Sequence, residues 1–141
     1  MVDKIIEEKL KNSLIGIYKL QDIKAIMPLV NGESSLLFLL FLSEDHIFSP
    51  GEIAKNLKVT KGRVTVMLSS LFDKKLIDLS LDIKDRRKIQ VKLTENGRKK
   101  IASQVENIGI IVDSMINKLG ETRAKELTSL LDYMIKEFNS N

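Results

Sequence analysis

The chain has 141 residues, of which 43% are hydrophobic and 30% are charged, so it can form a folded domain with a hydrated surface. It contains no cysteine, which excludes disulfides, thiolate metal sites and thiol redox sensing. The formal net charge is +4, but residues 55–100 hold 14 of the 23 basic residues and only 5 of the 19 acidic ones. This asymmetry indicates a polyanionic partner such as nucleic acid, the alternative being a solvated charged face.

The N-terminal residues carry both signs of charge and lack the apolar core of a signal peptide. The longest apolar run, Leu36–Leu42, is far shorter than the ~20 residues that a membrane span needs. These features predict a cytoplasmic protein without a membrane partner.

Apolar residues recur at helical spacing from Val2 to Met27, which predicts one long amphipathic helix closed by Pro28 and the Asn31-Gly32 turn. A second helix is expected to begin near Glu33. It is apolar nearly all round, and a helix of that kind lies buried at the centre of a domain.

A helix-turn-helix is predicted between residues 49 and 74. Ser49, Pro50 and Glu52 form a helix start, with Ser as the cap and Glu completing a capping box. Thr60 caps the next helix, which runs from Lys61 to about Lys74. Two short helices joined by a tight turn are typical of this motif.

A β-hairpin is predicted directly after these helices. Residues 76–81 and 88–93 each alternate apolar and polar side chains, and a highly charged tip separates them. A hairpin that follows the second helix of a helix-turn-helix is a wing. Thr94 then begins another long helix that ends at Gly120, and a last amphipathic helix follows it. The predicted fold is therefore mainly α with a small β-hairpin wing.

The wing carries the most specific motif in the chain: Asp82-Ile83-Lys84-Asp85-Arg86-Arg87, followed by Val91-Lys92-Leu93-Thr94-Glu95-Asn96-Gly97. It resembles the wing signature of the multiple-antibiotic-resistance regulator (MarR) family, and the order of helices and strands matches that family over essentially the whole chain. The resemblance implies a single unit over residues 1–141. In that unit residues 33–97 form a winged helix-turn-helix that binds DNA, and residues 1–30 and 98–141 form helices for dimerisation.

Three positions depart from the family pattern. Lys84 stands where the family has the tip arginine that reaches into the minor groove, and lysine lacks the planar fork of arginine. Val66 stands where many relatives have arginine, which questions base readout at that position. Lys75 replaces a usual glycine and would carry strain if its backbone is left-handed.

In such a fold the second helix of the motif enters the major groove and the wing reaches a minor groove. Arg63 is the best candidate for reading guanine, because its fork fits O6 and N7. The polar positions off the core face of the recognition helix are the candidate major-groove contacts: Thr60, Lys61, Arg63, Thr65 and Ser69. Thr60 is about equally well explained as a pure cap. In the wing we expect contacts from Lys84, Arg86 and Arg87, while Asp82 and Asp85 pair with the arginines and hold the tip in shape.

The terminal helices carry more apolar surface than one small winged domain can cover, which predicts a homodimer that reads a palindrome. The alternative is that these helices fold back on their own domain. The resemblance also implies a pocket for a small aromatic or anionic effector, near Tyr18, Met27, Phe38 and Phe41. Ordinary core is the simpler explanation of the same four residues.

No catalytic residue, metal site or cofactor is predicted. His46 is the only histidine and no cysteine accompanies it, whereas zinc sites need three or four ligands. No nucleophile motif or glycine-rich phosphate loop is present, so an enzyme is not expected. The leading hypothesis is a sequence-specific regulator of transcription, a repressor, that binds double-stranded DNA. The alternatives are a winged-helix module that binds an acidic protein and a non-specific architectural DNA-binding protein.

Overall fold

The computed structural model describes residues 2–85 and 88–140. The chain divides into two compact units, Met1–Gln104 and Val105–Asn141. The described residues are mainly helical and include one antiparallel hairpin, which confirms the predicted fold class. No single described helix is long and apolar enough to span a membrane. The bent pair Gln21–Val30 and Gly32–Leu42 has sufficient length and apolar composition only when its two helices are taken together.

The N-terminal segment is broken into three helical pieces, so the prediction of one continuous helix to Met27 was wrong. Helix α1 covers Lys4–Tyr18, α2 covers Gln21–Ile26, and a 3₁₀ helix covers Met27–Val30. The backbone N–H groups of Lys19 and Leu20 donate to carbonyls three residues back, which tightens the last turn of α1. Leu20 is extended and starts α2 in a new direction.

Helix α3, Gly32–Leu42, contributes three leucines to the core of the first unit: Leu36, Leu37 and Leu40. It packs against the 3₁₀ helix and against the two helices and the second strand that follow it. Its burial is not uniform, because Leu42 at its end is exposed. The burial predicted for this helix is confirmed in part, because Ser35 and the three leucines are buried while its other residues before Leu42 are half-buried.

The helix-turn-helix consists of α4, Pro50–Leu57, and α5, Lys61–Asp73. Each begins at its predicted cap: Ser49 Oγ accepts from the N–H of Glu52 at 3.2 Å, and Thr60 Oγ1 accepts from the N–H of Arg63 at 3.1 Å. Lys58, in a left-handed conformation with φ 55°, makes the turn between them. One face of each helix is buried, through Ile53, Ala54, Val64, Met67, Leu68 and Leu71.

The wing is an antiparallel pair of strands, β1 (Ile77–Leu81) and β2 (Ile89–Leu93). Its register places Ile77 opposite Leu93 and Leu79 opposite Val91. The N–H of Val91 also donates to the carbonyl of Phe48 at 2.9 Å, so the loop before α4 is fastened to the hairpin. This additional bridge was not predicted from the sequence.

Helix α6, Glu95–Leu119, begins against the turn that leads into β1. Thr94 Oγ1 accepts from the N–H of Gly97 at 3.0 Å and donates to the carbonyl of Lys75 at 2.7 Å, while the N–H of Thr94 donates to the carbonyl of Leu76. The backbone of Lys75 is left-handed, with φ 61°, and this is the conformation in which a lysine was expected to carry strain. We call this set of contacts the wing junction: residues 75–76 and 94–97.

The second unit contains the C-terminal part of α6 and helix α7, Glu121–Asn139, with Gly120 (φ 82°) between the two helices. Ala124 and Leu127 are half-buried, and no described residue of α7 is fully buried. Large apolar side chains such as Leu130 and Phe138 are exposed. A cavity of about 720 Å³ lies between α6 and α7 within this unit, and its lining is mostly apolar.

Candidate nucleic-acid interface

The exposed face of α5 carries all five residues predicted for the major groove. Val64, Met67, Leu68 and Leu71 are buried on the opposite side, while each of the five is exposed: Thr60, Lys61, Arg63, Thr65 and Ser69. The spacing of the core residues determines this face, because residues three and four apart lie on the same side of a helix. The exposed surface of the first half of α5 is therefore polar and cationic, apart from the exposed Val66.

The two threonines on this face each make a defined contact. Thr60 Oγ1 accepts the N–H of Arg63 as the helix cap, which leaves its own hydroxyl hydrogen available as a donor. Thr65 Oγ1 donates to the carbonyl of Lys61 at 3.0 Å, so that hydroxyl presents only lone pairs to a ligand. Capping and DNA contact are therefore compatible at Thr60.

The charges along α5 are unevenly distributed. Lys61 and Arg63 lie in its first turn, and neither forms an ion pair with another described residue. Asp73 lies at the other end, where Lys74 Nζ is held 2.7 Å from Glu33 Oε2. The N-terminal half of α5, together with the positive end of its helix dipole, therefore favours an anion.

At the wing tip, Asp82 organises the backbone. Its Oδ1 accepts from the N–H of Lys84 at 2.8 Å and of Asp85 at 3.4 Å, and its Oδ2 accepts from Gln90 Nε2 at 3.1 Å. These bonds, of which the one from Lys84 is the strongest, lower the pKa of Asp82 below its ordinary value. Lys84 is exposed on the tip that they shape.

The remaining wing predictions are tested only in part. Arg86 and Arg87 lie outside the described residues, so their predicted DNA contacts and their pairing with the aspartates stay predictions. Asp85 accepts the N–H of Lys88 at its backbone carbonyl, 2.9 Å away. Asp82 shapes the tip by accepting hydrogen bonds from backbone amides, whereas the sequence predicted that it would do so by pairing with an arginine.

The four residues of the predicted effector pocket do not line any of the cavities found at α5, beside β2 or between α6 and α7. Tyr18 is 63% exposed, while Met27, Phe38 and Phe41 are half-buried. A cavity of about 290 Å³ lies instead between the loop before α4 and β2, with Glu44, His46, Lys92 and Arg98 among its lining residues.

His46 has a structural contact that the sequence did not indicate. Its Nε2 lies 2.5 Å from Glu52 Oε2, and its ring meets Phe48 edge-on at 4.5 Å between centroids. The hydrogen bond from His46 is the main cause that lowers the pKa of Glu52. Within residues 2–85 and 88–140, no three His, Cys, Asp or Glu side chains are grouped to hold a metal.

Known proteins resemble this chain in sequence over part of its length and in structure over nearly all of it. The HTH-type transcriptional repressor YetL of Bacillus subtilis is 36% identical over 73 residues, which are 52% of this chain and 44% of YetL. The match thus spans less than half of that curated relative. No family model matches.

Solved structures match almost end to end. MepR, a transcription regulator of the Staphylococcus aureus multidrug efflux pump MepA, superposes with a TM-score of 0.69 at 20% identity, covering 98% of this chain and 99% of MepR. YusO from Bacillus subtilis gives 0.70 at 21% identity over 96% and 99% of the two chains. A MarR transcriptional regulator from Methanosarcina mazei gives 0.65 at 20% identity over 98% and 99%. MepR has also been solved as a mutant bound to an oligodeoxyribonucleotide and in complex with ethidium bromide. The resemblance to the MarR family indicated by the wing motif is therefore confirmed, and the chain has the winged helix-turn-helix fold of these transcription regulators.

Proposed function

We propose that this protein is a sequence-specific, double-stranded DNA-binding regulator of transcription, a repressor, that acts in the cytoplasm as a homodimer. The observation that carries the proposal is the exposed first half of α5, with Lys61 and Arg63 unpaired among the described residues beside a preorganised wing. The names of the relatives support it, since YetL is a repressor and MepR has been solved with DNA. No catalytic role is proposed.

In this proposal α5 lies in the major groove and Arg63 donates two hydrogen bonds to guanine O6 and N7. Thr65 offers an acceptor because its hydroxyl hydrogen is bound to the helix backbone. Lys84, held on the tip by the Asp82 contacts, lies in the minor groove, where Arg86 and Arg87 add charge. Lys61 and the wing cations supply the phosphate contacts that dominate affinity.

The homodimer is proposed from the uncovered apolar surface in each unit. Every described residue of α1 is exposed, including Ile6, Leu10 and Leu14, which recur at helical spacing on one face. α7 in the second unit also exposes large apolar side chains, among them Leu130 and Phe138. Apolar surface of this extent indicates an interface, and two-fold pairing is the commonest arrangement. Residues 1–30 and 98–141 would pair, and residues 33–97 of each copy would bind one half of a palindrome.

We further propose that a small aromatic or anionic effector regulates DNA binding. The complex of MepR with ethidium bromide favours an aromatic ligand, and Tyr18, Met27, Phe38 and Phe41 remain the candidate contacts. The test is whether an aromatic ligand weakens DNA binding by the wild type. The same ligand should no longer weaken DNA binding by Phe38→Ala.

The test of the main proposal is binding of the purified protein to its own upstream DNA and to a scrambled duplex of equal length, across a salt series. We expect a preference of ~10³ or more for the upstream DNA and a linear fall of log affinity with log salt concentration. Arg63→Ala should weaken specific binding by about 1–3 kcal/mol, whereas Arg123→Ala, a matched exposed arginine on α7, should not.

Two results would contradict the proposal. Equal binding to both duplexes would indicate an architectural DNA-binding protein. Absence of binding to either duplex at low salt would exclude DNA as the partner and leave the basic face for an acidic protein.

A further inference from the structure

Val66 is a large apolar side chain at the centre of the exposed face of α5. It is 69% exposed, although the buried residues of the same helix, such as Met67 and Leu68, retain at most 6%. It lies one turn after Gly62 and one turn before Ser69, on the side of the helix that points away from the core. An exposed apolar residue is ordinary on its own, so it is this position that requires an explanation.

Val66 is the most exposed large apolar residue of α5. Gly62 has no side chain, and a Cβ built there would meet nothing within 4 Å, so the helix can approach a ligand closely. Val66, Thr65 and Ser69 line an open groove of about 590 Å³ along α5. Lys61 and Arg63 precede the groove in sequence, whereas Asp73 and Lys74 line its other end, so Val66 lies at the end nearest to the unpaired cations.

The chemistry of valine limits what it can recognise in a major groove. Its side chain neither donates nor accepts a hydrogen bond, so it cannot read the polar edges of guanine, cytosine or adenine. The thymine 5-methyl group is the one apolar feature that a base presents there. A valine placed against a polar base edge would desolvate that edge without a partner, which disfavours the other bases.

We propose that Val66 reads thymine in the operator through van der Waals contact with its 5-methyl group, an inference that rests on the proposed function in DNA binding. Arg63, one turn of the helix or less away, reads guanine in the same half-site. Valine in place of arginine at position 66 then changes which base is read. Loss of the arginine contact alone would not explain why an apolar side chain is exposed there.

The experiment replaces thymidine with deoxyuridine, which pairs identically but lacks the methyl group. A tight-binding duplex is first selected from a random-sequence pool with the full-length protein. It is then synthesised with deoxyuridine at one position at a time. We expect one thymine in each half-site at which the substitution weakens binding by about fourfold, the value of one buried methyl group.

Variants at position 66 test whether Val66 is responsible for the weaker binding to the deoxyuridine duplex. In Val66→Ser the same deoxyuridine substitution should have no effect, because the apolar contact is already absent. In Val66→Ile the fourfold loss should persist. Both changes are at an exposed position, and unchanged thermal unfolding together with unchanged binding to a random duplex controls for misfolding.

Each remaining outcome overturns the inference. If no single deoxyuridine weakens the wild type, thymine methyl groups are not read. If the loss is equal in wild type and Val66→Ser, another residue or the shape of the DNA is responsible. If no duplex is selected at all, the proposed function fails first, and that result is distinguishable because even thymidine-containing DNA remains unbound.

Discussion

The winged-helix core and the terminal helices use the same kind of amphipathic pattern with opposite results. In α5, Val64 and Leu71 are completely buried, whereas Leu14 in α1 and Leu130 in α7 remain more than half exposed. Among the residues that the structure describes, the buried apolar ones all lie between Leu29 and Ile101. The comparison teaches that periodicity identifies an apolar face but does not say what covers it.

The largest contrast is expected between two glycines of α6. A Cβ at Gly97 would lie against the carbonyl oxygen of Leu76 and 2.9 Å from its carbonyl carbon, both backbone atoms, whereas Gly109 has open space around it. Gly97→Ala should lower the free energy of unfolding by about 3 kcal/mol or more. Gly109→Ala should raise it by up to about 1 kcal/mol through helix propensity. Urea unfolding measures both, and a stable Gly97→Ala variant would contradict the packing described at the wing junction.

Two leucine truncations test the comparison of burial directly. Leu71→Ala removes a fully buried side chain and should cost about 2–5 kcal/mol of unfolding free energy at any protein concentration. Leu130→Ala changes a side chain that is 68% exposed. Any loss of unfolding free energy should therefore come only from weaker dimerisation and should vary with protein concentration. Unfolding followed at two concentrations a hundredfold apart separates the cases. A concentration-independent loss in Leu130→Ala would remove the support for dimerisation through α7.

Left-handed residues give a smaller, paired effect. Lys75 (φ 61°) lies in the first unit and Gly120 (φ 82°) in the second. Lys75→Gly should stabilise the protein and Gly120→Ala should destabilise it, each by about 1 kcal/mol, because a side chain is disfavoured in this conformation. Thermal unfolding of the two variants measures the shifts. Lys75→Gly would fail the prediction if its midpoint fell below that of the wild type.

The smallest effect concerns two ion pairs. The hydrogen bond from Lys74, followed by that from Ser70, lowers the pKa of Glu33 below 4.5, whereas the Glu121–Lys125 pair on α7 is highly exposed. Because the folded protein lowers the Glu33 pKa, its stabilisation is present above pH 4.5 and is lost as pH falls through the lowered value. Glu33→Gln should therefore flatten the acid end of the stability curve, and Glu121→Gln should leave it nearly unchanged. Identical curves for wild type and Glu33→Gln would contradict this assignment.

Local chemistry determined which parts of the fold could be predicted. The caps Ser49, Thr60 and Thr94 were correct because each acts on a backbone amide three residues away in sequence. The bridge from Phe48 to Val91 joins residues 43 positions apart, and no local pattern encodes such a pairing. The break after Tyr18 could not be predicted, because the apolar spacing continues across it while Leu20 becomes extended.

The candidate site was predictable to a similar extent. The core residues of α5 determine which face is exposed, so the polar candidates on that face followed from spacing alone. The exposure of Val66 follows from the same spacing, but the family pattern of an arginine at this position assigns no role to an apolar side chain there. The clamp of Asp82 on the amides of Lys84 and Asp85 needed the geometry of the tip, because a charged tip equally permits pairing with arginine.

The wing junction has a mechanical consequence. Thr94 and Gly97 at the start of α6 hold the backbone of Lys75 and Leu76, which connects the end of α5 to the first strand of the wing. Without a side chain at Gly97 the contact is between backbones, which have no rotamers to absorb a displacement. A rotation of the first turn of α6 would therefore move the start of β1 and the end of α5 together. A displacement of α6 would in this way reach both of the elements proposed to contact DNA.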